Sequence, residues 1–131
     1  MGANLLCSCK VGFVGRLSEE KGVRTLLTTW TQHPPGLPLK IAGDGPLKAE
    51  VTAACRNDGN IEWLGHLPPD ESRALMRDAT LVVVPSECYE TFGRVIAESF
   101  AVGTPVVASR IGALAELVEH GRTGLLFRPG D

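Results

Sequence analysis

Residues 80–108 read TLVVVPSECYETFGRVIAESFAVGTPVVA. Two short apolar runs, 80–85 and 104–108, flank a helical run at 93–102. The first run is mostly β-branched and shows no alternation of apolar and polar residues. That pattern belongs to a strand covered on both faces, as in a parallel sheet.

The same alternation extends outward in both directions. Toward the N-terminus, residues 10–15 (KVGFVG) read as a strand ending in glycine. Residues 20–30 follow as a helix, with Ser18 as its N-cap and Leu26 and Leu27 on its apolar face. Residues 39–43 (LKIAG) are a second strand. Residues 47–56 are a second helix, stopped by Asn57, Asp58 and Gly59. Residues 60–65 (NIEWLG) are a third strand. Residues 69–79 are a third helix, with Asp70 near its positive end. Toward the C-terminus, residues 113–120 read as a helix capped by Gly121, and residues 124–127 as a last strand. Repeated β-α units predict an α/β fold, a Rossmann-like doubly wound parallel sheet of about six strands in a single domain spanning 1–131. The chain ends just after its last strand, where such a sheet is normally covered by another helix. We therefore expect a fragment of something larger.

Composition narrows the function. Of 131 residues, 44% are hydrophobic and 21% charged, enough apolar matter for a core without disulfides or a structural metal. The net charge of −2 supplies no basic field for nucleic acid, so any phosphate contact must be local. Cys7 and Cys9 are followed by no second pair at zinc spacing, and His33, His66 and His120 are dispersed. No metal site is expected. The thiols read as reduced cysteines of a cytoplasmic protein. There is no leader-like N-terminus and no run of the roughly 20 apolar residues that a transmembrane segment needs.

In open α/β sheets ligands bind beyond the carboxyl ends of the strands, and four features of the sequence converge there. Gly15 and Arg16 end the first strand and Lys21 opens the next helix: either two cations for one diphosphate or solvated surface charges. Gly43, Asp44, Gly45 and Pro46 follow the second strand, either as a close backbone approach to a ligand or as a tight turn. A dinucleotide fingerprint would need its glycines directly after the first strand, which excludes an NAD- or FAD-binding domain. Glu90, Thr91, Phe92 and Gly93 precede the fourth helix, whose first amides form an anion site. Glu98 lies five residues beyond Gly93, about 7.5 Å along the helix, in an otherwise apolar run. A carboxylate is costly to bury there without a partner; it contacts either a ligand or water.

Residues 85–109 (PSECYETFGRVIAESFAVGTPVVAS) resemble the E-x7-E region of the retaining GT-B glycosyltransferases of family 4 (glycosyl transferases group 1). FVGRLSEEKGVRTLL, IAGDGPL, IEWLGHLPPDE and GALAELVEHGRTGLLFRPGD are similar to that family's other segments, in the right order from about Lys10 onward. The resemblance implies the C-terminal, nucleotide-sugar-binding domain of such an enzyme, with strand order 3-2-1-4-5-6. It implies that Arg16 and Lys21 neutralise the donor diphosphate and that the amides of Thr91, Phe92 and Gly93 hold its distal phosphate. Glu90 would face the donor sugar as the catalytic carboxylate, and Glu98 would bind the ribose hydroxyls. Gly65, His66 and Leu67 would touch the base, and Gly15 and Gly45 would line the site. The two glutamates would not form a glycosidase pair, which flanks one glycosidic bond. The family generally works without a metal or other cofactor; the donor nucleotide sugar is the substrate. The resemblance also implies a missing N-terminal acceptor domain and missing final helices, hence nucleotide binding without turnover by the chain alone. A full-length protein could attach peripherally to a membrane. The alternatives are a non-catalytic nucleotide-sugar-binding module, or another enzyme on this architecture, a nucleotide-sugar epimerase or a glycogen phosphorylase. The phosphorylase needs a pyridoxal-binding lysine and a larger domain that the sequence does not match.

Overall fold

A computed structural model describes residues 9–32, 36–87, 93–111, 118, 122 and 124–127. Six strands run parallel: β1 (Val11–Val14), β2 (Leu39–Ala42), β3 (Ile61–Trp63), β4 (Leu81–Val84), β5 (Val106–Ser109) and β6 (Gly124–Phe127). Their order across the sheet is β3-β2-β1-β4-β5-β6. The chain thus winds outward from β1 to one edge, returns to the centre at β4, and winds to the other edge. Val11 pairs with Leu39 on one side and with Leu81 on the other.

The period-two geometry of the strands sorts their side chains between two cores. Val11, Phe13, Leu39, Ile41 and Val83 point to one face, where α1 (Val23–Gln32) and α2 (Lys48–Asn57) cover them through Leu26, Leu27, Trp30 and Val51. Val82, Val106 and Ala108 point to the other face, against Met76 of α3 (Pro69–Asp78) and Ile96 of α4 (Arg94–Ala101). Gly12 is part of this division: a Cβ there would meet Ala79 at 3.5 Å, so α3 lies close on β1. Lys40 and Glu62 face outward from β2 and β3 and pair with each other. The apolar Leu26 and Leu27 are buried as the periodicity required.

The start of the first helix differs from the sequence expectation. Ser18 caps no α-helix: residues Glu19–Lys21 form a 3₁₀ turn, Gly22 closes it in the left-handed region at φ 75°, and α1 begins at Val23. The Ser18 hydroxyl makes no capping bond and is buried without a partner among the described residues. Two tertiary demands override the local capping signal: Leu17 is fully buried, and Gly22 packs against the end of β4. Other element ends shift by up to two residues. The predicted helix at 113–120 and its cap Gly121 lie outside the described residues, apart from the buried Val118. No described helix is long and apolar enough to cross a membrane.

Candidate functional site

The reversal of strand order between β1 and β4 opens the sheet's carboxyl edge, the position at which doubly wound folds bind ligands. A cleft of about 690 Å³ lies over β1 and β2. Gly15, Arg16, Asp44, Gly45, His66, Leu67 and Ser72 line it. Beside it, a crevice of about 100 Å³ descends between β1 and β4, lined by Gly15, Lys21, Ser86, Gly93 and Arg94 among others. Val14 and Gly15 line both, so cleft and crevice adjoin at the end of β1.

The larger cleft is shaped by backbone. The Gly43 N–H donates to the Gly65 carbonyl at 2.8 Å, Leu17 N–H to Asp44 at 2.9 Å, and Leu47 N–H to Leu17 at 2.9 Å. A Cβ on Gly43 would lie 1.8 Å from the Gly15 oxygen, and one on Gly45 would lie 2.6 Å from the Leu17 oxygen. The glycines after β2 are therefore required by loop-on-loop packing, and that packing forms the cleft floor. The Trp63 indole N–H closes the arrangement on the Gly43 carbonyl at 2.8 Å.

Of the expected residues, Gly15, Arg16, Gly45, His66 and Leu67 come together in the cleft, and Lys21 and Gly93 in the crevice. Gly65 serves the cleft through its carbonyl rather than its surface. Arg16 is exposed and makes no side-chain hydrogen bond or ion pair among the described residues. A guanidinium at the cleft mouth so placed can meet an anion without first breaking a bridge. Gly93 begins α4 in the left-handed region at φ 58°, leaving the first amides of that helix at the crevice. Glu98 is half-buried further along α4, lines neither cavity and has no polar partner among the described residues. Glu90, Thr91 and Phe92 lie outside the described residues.

Three contributors escaped the sequence reading. Ser72 reaches the cleft from α3 and donates its hydroxyl to the Leu67 carbonyl at 3.3 Å. A serine in a helix's first turn, five residues after the loop, was the available signal. Ser86 and Arg94 line the crevice beside Gly93; both are adjacent to segments already singled out. No group of metal-ligating side chains occurs among the described residues. Burial pushes the Cys55 thiol above its ordinary range.

A family model described as Glycosyl transferases group 1 matches residues 8–131. The chain is 39% identical over 125 residues to a glycogen synthase of Mycobacterium tuberculosis, covering 91% of this chain and 30% of that protein. It is 35% identical over 134 residues to a D-inositol 3-phosphate glycosyltransferase of Corynebacterium urealyticum, covering 92% and 31%. Among solved structures it is similar to Anabaena HepE in complex with UDP, with TM-score 0.80, 34% identity, and 98% and 38% coverage. The UDP-glucose complex of HepE gives TM-score 0.79, 35% identity, and 92% and 35% coverage. The chain thus spans about a third of the length of the proteins it matches. With a doubly wound sheet open at β1 and β4 and a family match over nearly its whole length, the chain belongs to the glycosyl transferases group 1 family, on the GT-B side of glycosyltransferase architecture.

Proposed function

We propose that the chain is the donor-binding domain of a retaining, family 4 glycosyltransferase, and that a nucleoside diphosphate sugar lies across the cleft and crevice. The observation that carries the reading is that the two cavities adjoin at Gly15. They offer a roomy, neutral cleft for a nucleoside beside a narrow crevice with a lysine and a helix start for phosphate. The base lies against His66 and Leu67, Arg16 and Lys21 meet the diphosphate, and the amides at Thr91, Phe92 and Gly93 take the distal phosphate. Glu90 faces the sugar and Glu98 the ribose. Breaking the sugar–phosphate bond builds negative charge on the departing diphosphate, and fixed cations with a helix start stabilise it as it forms. That arrangement needs no divalent metal. The acceptor is bound by another part of a longer protein, consistent with the third of its relatives' length that this chain spans. The complexes of HepE with UDP and UDP-glucose favour uridine as the base.

Calorimetric titration with UDP, GDP and ADP in the presence of a chelator tests the reading. UDP should bind, and Arg16→Ala should weaken it about 10- to 150-fold through loss of a charge-assisted contact. An unchanged dissociation constant in the variant rules out Arg16 as a ligand. Binding that requires magnesium rules out the metal-free arrangement.

A further inference from the structure

Lys21 and Ser86 face the crevice from opposite sides, Lys21 from the corner between β1 and α1, Ser86 from the exit of β4. Each stands between two residues that are tied to the opposite wall. Gly22, next to Lys21, packs so closely on Pro85, next to Ser86, that a Cβ would come within 1.8 Å of the Pro85 oxygen. On the other side, the Glu87 N–H donates to the Glu20 carbonyl at 2.8 Å. The Glu87 carboxylate then accepts the Thr25 hydroxyl of α1 at 2.5 Å, a half-buried bond between residues 62 apart in sequence. Glu87 itself does not line the crevice.

We propose that Glu87 is a positioning residue: through Thr25 and Glu20 it fixes the spacing between Lys21 and the β4 exit, and so sets the width of the crevice for a diphosphate. The proposal rests on the donor-binding reading above. What the latch needs from residue 87 is a hydrogen-bond acceptor, not a charge. A negative charge this near a phosphate site opposes binding, so a glutamine that keeps the bond should serve at least as well.

The test compares UDP with uridine, which shares the larger cleft but has no phosphate for the crevice. Both are titrated by NMR into the wild-type chain and into Glu87→Ala, Glu87→Gln, Thr25→Val and Thr25→Ser. Glu87→Ala and Thr25→Val should weaken UDP about tenfold, the scale of one lost hydrogen bond, and leave uridine unchanged. Glu87→Gln and Thr25→Ser should bind UDP as the wild type does or, for the glutamine, more tightly. UDP binding unaltered in Glu87→Ala overturns the proposal while leaving the donor reading intact. Equal losses for UDP and uridine overturn it too, since they mean that Glu87 supports the fold in general. A wild-type chain that binds uridine and UDP equally well, or neither, defeats the donor reading and the latch together.

Discussion

The larger cleft and the crevice beside it mix main-chain and side-chain bonds in different proportions. The cleft is held by main chain: Gly15 to Ala42 at 3.0 Å, Leu17 to Asp44, Gly43 to Gly65 and Leu47 to Leu17, all backbone N–H to carbonyl. Its side chains, His66 and Arg16, stand exposed at the rim. The crevice has a lysine, a serine and an arginine in its walls and a carboxylate–hydroxyl bond behind them. Main-chain bonds predominate in the cleft, whereas in the crevice a side-chain bond adds to the main-chain contacts of Gly22 and Glu87. On the proposed reading that difference is useful, because substitutions that tune the crevice leave the floor of the cleft in place.

The division breaks most sharply at Gly43. Its φ of 147° is unfavourable for any residue with a side chain, and an added Cβ would lie 1.8 Å from the Gly15 oxygen. Backbone cannot yield there without undoing the bonds of Gly15 and Leu17. Gly43→Ala should cost about 3 kcal/mol or more, a fall of about 10 °C in melting temperature by calorimetry. A variant that melts with the wild type would mean that the loops are not locked together, and the contrast drawn between cleft and crevice would go with it.

These differences also decide what could be read in the sequence. The strands were legible because Val82, Val83, Val106 and Val107 are apolar on both faces, which only a covered parallel sheet allows. Leu26 and Leu27 were legible from period alone. Arg16, Lys21 and Gly93 were placed correctly at the sheet's open edge because position after a strand or before a helix is a local property. Contacts between distant segments were not legible. Gly22 looked like a residue within a helix, yet its left-handed turn answers to Pro85, more than sixty residues later. Ser18 carried a capping signal that the burial of its neighbour Leu17 overrode. Glu87 bonds Thr25, a partner 62 residues away that no spacing rule connects to it.

The two glutamates of the proposed site, Glu98 and Glu90, test that reading next. Glu98 is half-buried with no polar partner among the described residues, and on the proposed reading it accepts from the ribose hydroxyls. Glu98→Gln keeps an acceptor and loses only the charge, so UDP and UDP-glucose should both weaken by about fivefold in titration calorimetry. Glu90→Gln should spare UDP and weaken UDP-glucose alone, because only the latter carries a sugar. Equal losses for both ligands in both variants would show that the glutamates do not divide ribose from sugar.

The smallest expected effect lies on the outer surface behind the cleft. Arg24 of α1 donates from Nε and Nη2 to the two oxygens of Glu50 on α2, at 2.9 and 3.0 Å, and from Nη1 to Glu19 at 3.0 Å. The hydrogen bond from Arg24 holds the Glu50 carboxyl below its ordinary range, and the same bond raises Arg24. Arg24 stays charged throughout the accessible range, so only Glu50 titrates. Because its folded-state value is depressed, the stabilisation is present above the ordinary carboxylate range and is lost as pH falls through the lowered value. Both side chains are about half exposed, 51% and 46%, so solvent and salt screen the pair. Glu50→Gln should therefore lower the melting temperature by about one degree or less at neutral pH. The difference from wild type should fade in acid and in high salt. If Glu50→Gln instead unfolded the chain as readily as Gly43→Ala, the pairing of α1 with α2 would depend on surface charge. The cleft would then owe its shape to side chains after all, and the main-chain bonds beneath it would be a consequence of helix packing rather than its cause.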